Sequence, residues 1–358
     1  MVGRSPGRPI RITHLVGEGD PTISRVAEQM TAACLAGPGE IGVGRFPVPD
    51  LQPGEVLVRT RLAAICGSDL HVVFGGHGPG LFPGPPGYPG HESVGEVLES
   101  RSERCRAGDL VLALPAGVAG RSFAERQAVP DAQLVPLAAG ADLAAMLMAQ
   151  QLGTVIFALK RFWPGPPAET AVVIGAGAAG LHFTQLLARA GFGRVVVADR
   201  HAHRLTAARA LGATATVLAP AESVVEATLD LTGGRGADLV VEAAGHDATR
   251  AQALVAVANA GRVGLFGLPE HSGDMALPFA EVFRRRPTIE ISVGAQAEPG
   301  LASFREAVDR IARGDVDVSR LATHRFDIAE LADAFATARE PGAAGALKVT
   351  VGFSGGAP

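Results

Sequence analysis

The sequence predicts an α/β protein in two parts, a β-rich domain of short strands and a doubly wound parallel sheet. Three observations predict it. The chain has 358 residues, 47% hydrophobic and 19% charged, more than one compact core organises and apolar enough to fill two. Between residues 30 and about 140, short apolar runs are broken at close intervals by Gly and Pro. After a long apolar helix the pattern changes to strands alternating with helices, the signature of βαβ units.

The elements follow in order. Residues 1–29 are rich in Arg, Gly and Pro at their start and lack an apolar signal-peptide region. They are expected to form a flexible extension, or to precede a translation start at Met30. Met30–Val43 reads as two strands around a Pro38-Gly39 turn, and Glu55–Ile65 alternates as a half-buried strand does. Gly75–Gly90 is Gly/Pro-punctuated loop, followed by strands at Ser93–Leu98 and Asp109–Leu114. Leu143–Phe162 is an apolar helix that the Trp163-Pro164-Gly165-Pro166-Pro167 run terminates. Strands are then expected at Ala171–Ile174, Arg194–Asp199, Ala213–Val217, Asp238–Glu242, Arg262–Phe266 and Ile289–Val293, with helices after Gly180 and up to Leu211. A helix at Leu301–Gly314 and a strand at Leu347–Val351 complete the pattern.

Composition excludes some classes. The formal net charge of -4 argues against a nucleic-acid partner, which needs a basic face. No stretch is read as spanning a bilayer, so no membrane partner is expected. Cys34, Cys66 and Cys105 cannot make a disulfide framework, which points to a reduced cytoplasm. Of 32 basic residues only Lys160 and Lys348 are lysines, a bias read as genomic composition. Arg284-Arg285-Arg286 reads as a solvated helix end.

Two constellations carry chemistry. Gly175-Ala176-Gly177-Ala178-Ala179-Gly180 lies between an apolar strand and a helix. That context fits a dinucleotide pyrophosphate: Gly175 for the tight turn, Gly177 for close backbone approach, Gly180 for helix–strand packing. The amides around Ala178 and Ala179 would donate at the helix start. Asp199 ends the next strand, placed to accept the adenosine ribose hydroxyls and to repel a 2′-phosphate, so NAD is expected. Arg200 beside it would soften that discrimination. The second constellation is Cys66-Gly67-Ser68-Asp69-Leu70-His71 with Gly90-His91-Glu92 downstream. It gathers a thiolate, imidazole and carboxylate, a donor set that suits a catalytic zinc with one open position.

Together with the Gly108-Asp109-Leu110-Val111 turn, these motifs make the chain resemble the zinc-dependent branch of the medium-chain dehydrogenase/reductase family from about Met30 to Val351. The resemblance implies a GroES-like catalytic domain over 30–152 and 296–358, with a Rossmann nucleotide domain over 153–295 inserted between. It implies zinc ligands at Cys66 and His91, Asp69 orienting His91, and Glu92 in a position that ligates in some members. Ser68 and then His71 would carry the substrate hydroxyl proton away. The fourth metal position falls on Gln150, a poor neutral ligand. Charge therefore assigns the third place to Glu92. The four-cysteine structural-zinc lobe of many members has no counterpart, so one catalytic zinc and no structural zinc are expected, with Cys34 and Cys105 as ordinary core or strand residues. The implied activity is NAD-dependent oxidation of a small secondary alcohol, with a lean toward polyols, sugars, cyclitols or amino alcohols. A zinc-free double-bond or quinone reductase and a non-catalytic dinucleotide-binding regulator are the alternatives. The family implies a homodimer or homotetramer joined along Thr288–Val293. His77 lies near the presumed substrate entrance.

Overall fold

The computed structural model describes residues 28–75 and 81–353. All but the end of the expected N-terminal extension, and His77, lie outside the described residues. β1 (Gln29–Gly37) and β2 (Glu40–Pro47) form an antiparallel hairpin. β3 (Glu55–Ala64) leads into the short helix α1 (Gly67–Phe74), and β4 (Ser93–Ser100), β5 (Leu110–Ala113), β6 (Arg126–Pro130) and β7 (Leu134–Pro136) complete the first β-rich region. α1, β6 and β7 are additions to the sequence reading. They are too short to show a period of their own.

α2 (Leu143–Leu147) and α3 (Ala149–Phe162) divide the expected single helix at Met148. The Asp142 carboxylate caps α2 by accepting from the amides of Ala144 and Ala145. Together they span 20 residues, long and apolar enough by length and composition to cross a bilayer. That corrects the sequence reading, which found no such stretch. The reason for the composition is internal. Leu147, Leu152, Val155, Ala158 and Phe162 are fully or almost fully buried in the largest core cluster, and Phe304 packs where any side chain on Gly153 would stand.

The alternating half follows as β8 (Thr170–Ile174), α4 (Ala178–Ala190), β9 (Arg194–Asp199), α5 (Ala202–Ala210), β10 (Ala215–Leu218), α6 (Val224–Leu231), β11 (Ala237–Glu242), α7 (Asp247–Ala256), β12 (Val257–Leu265), α8 (Phe279–Arg285) and β13 (Thr288–Ile291). Its six strands are all parallel, in the order β10-β9-β8-β11-β12-β13. β8, β9 and β11 are buried along almost their whole length, as expected of a sheet covered on both faces. α9 (Ala302–Ala312), β14 (Ala322–Asp327), α10 (Leu331–Arg339), α11 (Pro341–Ala344) and β15 (Lys348–Gly352) then return to the first region. β15 pairs antiparallel with β3, placing Thr350 opposite Ala64 and Val351 opposite Ala63. The order β14-β15-β3-β4-β5-β7, with β6 on β3, thus joins the two ends of the chain in one sheet.

Candidate active site

Cys66 stands where β3 ends and α1 begins, and one carboxylate organises the turn. Asp69, 1% exposed, accepts the Cys66 amide on Oδ2 at 2.9 Å and faces His91 Nδ1 with Oδ1 at 3.2 Å. A hydrogen on Nδ1 leaves Nε2 as the lone-pair nitrogen, the form a metal needs. That nitrogen lies 3.5 Å from Ser68 Oγ. Burial opposes a charge on His91. Asp69 and Cys66 beside it outweigh burial and hold its pKa well above the usual imidazole range.

Donor atoms of Cys66, His91 and Glu92 all lie within 4.8 Å of one another. Ligands 2.0–2.3 Å from a tetrahedral zinc stand about 3.3–3.8 Å apart, so small side-chain shifts would close the set on a metal. The donor set itself, a thiolate, an imidazole and a carboxylate, is of the kind zinc takes. Gln150, 3% exposed on α3, lines the same cleft.

The structure adds a residue that the sequence reading discounted. β15 delivers Lys348 to the cluster, tied in by the Ile65 amide donating to Val349 O at 3.0 Å. Its Nζ donates to Glu92 Oε1 at 2.9 Å and to Gln151 Oε1 at 3.3 Å, and lies 2.7 Å from Glu92 Oε2. The last contact is ionic and too poorly aligned to be a hydrogen bond. Both side chains of the ion pair are buried, 4% and 1% exposed. Burial disfavours the ammonium, but Glu92 and then Cys66 raise its pKa on balance. The charge balance that assigned Glu92 to the metal therefore omitted a cation: Lys348 already neutralises that carboxylate. One of the chain's two lysines was the available signal, and its distance of 256 residues from Glu92 hid it.

Two clefts meet at this point. One, about 470 Å³, is lined by Ser68, Val72, Tyr88, Gln150, Thr154, Leu268 and Val293 among others. The other, about 190 Å³, runs between Gly177–Gly180 and the Lys348–Val349 backbone. Cys66 and Gln151 line both. His71 sits one turn beyond Ser68 on α1 and is not among the described residues lining either cleft.

The glycine loop is sterically determined. Gly175 has φ +101, and a side chain on Gly180 would begin 1.8 Å from Gly175 O. Asp199 accepts the Ala176 amide at 2.7 Å and the His201 amide at 2.9 Å. Arg200 is exposed. The guanidinium beside Asp199 is that of Arg204, 3.7 Å from Oδ2, and it lines the narrower cleft with Gly177. Arg204 takes the position that the sequence assigned to Arg200, because the first turn of α5 brings it back over β9. His182, on α4, was also missed. It is fully buried with neither nitrogen hydrogen-bonded, and burial, with Lys348 adding to it, lowers its pKa to about 3.

Comparison with known proteins identifies the family. A family model described as a zinc-binding dehydrogenase matches residues 178–313, and one described as the GroES-like domain of alcohol dehydrogenases matches residues 52–141. L-threonine 3-dehydrogenase of Bacillus subtilis strain 168 is 28% identical over 315 residues, covering 81% of this chain and 89% of that protein. Sorbitol dehydrogenase of the same strain is 27% identical over 339 residues, covering 86% and 93%. A crystal structure from Sinorhizobium meliloti 1021 bound to NADP superposes with a TM-score of 0.80 at 26% identity, covering 91% of this chain and 99% of that one. The chain belongs to the zinc-binding, medium-chain alcohol dehydrogenase family, with a GroES-like domain and a Rossmann-like parallel sheet. Its relatives make it an alcohol or polyol oxidoreductase acting on small molecules with a nicotinamide cofactor.

Proposed function

We propose that this protein is an NAD-dependent, single-zinc dehydrogenase of neutral secondary alcohols, polyols foremost. The observation that carries it is the Asp69-bridged Cys66–His91–Glu92 cluster at the junction of two clefts, one bordered by the glycine loop and one of a size for a small alcohol. The lining supports a neutral substrate. Among the described residues of the wider cleft the only charged groups are Asp69 and His91, which bind each other. Gln150, Gln151, Thr154, Ser292 and Gln296 supply amides and hydroxyls. Such a wall can hydrogen-bond several hydroxyls, but it offers no cation to a substrate carboxylate or phosphate.

Cys66, His91 and Glu92 Oε2 would hold a zinc ion, which would supply Lewis-acid polarisation of the substrate oxygen, with a nicotinamide bound at the glycine loop as the hydride acceptor. Ser68 takes the hydroxyl proton, and His71 passes it toward solvent. Gln150 orients the substrate from the opposite wall. Gly175, Gly177, Ala178, Ala179 and Gly180 hold the pyrophosphate, and Asp199 the adenosine ribose. The division into 30–152 with 296–358 and 153–295 is supported by the two sheets. Homo-oligomer formation along β13 is supported by the exposed apolar side chains of Phe279, Phe283, Ile291 and Val293, each at least 65% exposed.

A panel of alcohols and polyols assayed with NAD on zinc-loaded protein, read at the absorbance of the reduced nicotinamide, tests the reading. Turnover of neutral secondary alcohols, lost on removing zinc, is the expected result. Turnover that survives without metal, or that is confined to conjugated enones or quinones, overturns it.

A further inference from the structure

A second cavity, as large as the substrate cleft, lies at the other end of the parallel sheet, where β11, β12 and β13 begin. It encloses about 480 Å³, and four arginines line it: Arg235, Arg262, Arg284 and Arg285. Among the described residues, Asp238 is the only carboxylate in its wall. The cofactor and substrate clefts open at the opposite strand ends, about 15 Å away for strands of five residues. Two of the three arginines that the sequence placed at a solvated helix end are thus pocket residues. Arg285 is only 5% exposed and donates from Nη1 to Val257 O at 2.7 Å.

The carboxylates nearby do not balance these cations. Glu281 is shared by Arg284 and Arg285; Arg235 is paired with Asp238 and also with Glu169, which binds Arg194 as well. Arg262 has no carboxylate partner among the described residues; its Nε and Nη2 donate to the carbonyls of Phe162 and Arg161, leaving Nη1 over. The edge of Trp163 supplies an apolar wall. The pocket backbone is also strained: Ala260 holds φ +57, a left-handed conformation that costs a non-glycine residue about 1 kcal/mol or more.

We propose that this pocket is a binding site for a phosphate monoester, a small organic body carrying one dianionic phosphate, separate from the cofactor and substrate clefts. Guanidinium forks match phosphate oxygens in charge and geometry. The cavity holds far more than an inorganic ion and falls in the size range of small-molecule sites. Arg262, through its free Nη1, and Arg284 hold the phosphate, and Trp163 covers the organic part.

The test is calorimetric titration of the zinc-loaded full chain with glycerol 3-phosphate, in low-salt buffer free of phosphate. One site per chain is expected, with Kd of roughly 0.1–1 mM, the strength of two or three charge-assisted hydrogen bonds. Arg284→Gln and Asn259→Asp alter exposed positions of the wall and should preserve the fold, checked by Tm. Each should weaken binding by about tenfold or more, while Arg204→Gln in the cofactor cleft leaves it unchanged. No binding up to about 10 mM would overturn the proposal. So would wild-type affinity in Arg284→Gln and Asn259→Asp, or loss of binding in Arg204→Gln, which would place the anion in the cofactor cleft.

Discussion

Replacing Lys348 by methionine isolates the contribution of the buried ion pair. The exchange keeps the length and apolar stem of the side chain but removes the ammonium that faces both oxygens of Glu92. Because Glu92 is fully buried, its carboxylate is left desolvated and unpaired, which costs about 3–5 kcal/mol. Glu92→Gln alone strands the ammonium at a comparable cost. The double variant Lys348→Met/Glu92→Gln removes both charges and should recover most of the loss, so the mutant cycle should show coupling of several kcal/mol. Urea unfolding of the metal-free protein at pH 7 measures all four corners. Zinc affinity against a competing chelator should move in the opposite direction to stability in Lys348→Met. Freed of its cation, Glu92 brings a full negative charge to the metal, and binding should tighten about tenfold or more. A Lys348→Met protein as stable as the parent, or one that binds zinc more weakly, would refute this account of the site.

His182 should make the fold sensitive to acid. Its pKa in the folded state is about 3, whereas an exposed imidazole titrates at 6.5. The unfolded chain therefore takes up the proton first, and stability falls as pH drops below 6.5, by about 2 kcal/mol between pH 7 and 5. His182→Leu should flatten the profile relative to the parent, and parallel profiles would show that the imidazole is charged or solvated. Asp199→Gly should weaken NAD use and improve kcat/KM for NADP about tenfold or more, because Arg204 then meets a 2′-phosphate without a neighbouring carboxylate; unchanged cofactor preference in steady-state kinetics would count against that arrangement. Cys66→Ser should abolish tight zinc binding by elemental analysis while NAD binding, read by fluorescence titration, persists. The parent should hold one zinc tightly, since the exposed Asp247–Glu270–His271 group is already engaged by Arg250 and His246, and two tightly held ions would refute this.

The sequence by itself determined what depends on local spacing. Three glycines in six residues specify a turn that backbone sterics enforce, as the 1.8 Å approach to Gly175 O at Gly180 shows. A thiol two and three residues before a helix-turn hydroxyl and acid, and a His-Glu pair downstream, mark a candidate metal cluster because each motif lies within one turn or strand end. The alternation of strands and helices in the second half, and hence its parallel sheet, was equally legible through its apolar runs, while the order of the strands came from the structure. Short elements such as α1 and β7 were not, because eight or fewer residues carry too little periodicity to separate from loop. Tertiary structure alone decided the electrostatics. Lys348 reaches Glu92 because β15 pairs with β3, and nothing in the residues around either one records that pairing. Arg204 replaces Arg200 beside Asp199 because a helical turn, not sequence adjacency, sets which side chain folds back over the strand. His182 lost its ordinary titration to burial, and the four arginines of the far pocket were brought together from three separate segments. Local chemistry is written in the order of residues; the charge balance of a buried site depends on which distant strands the fold places side by side.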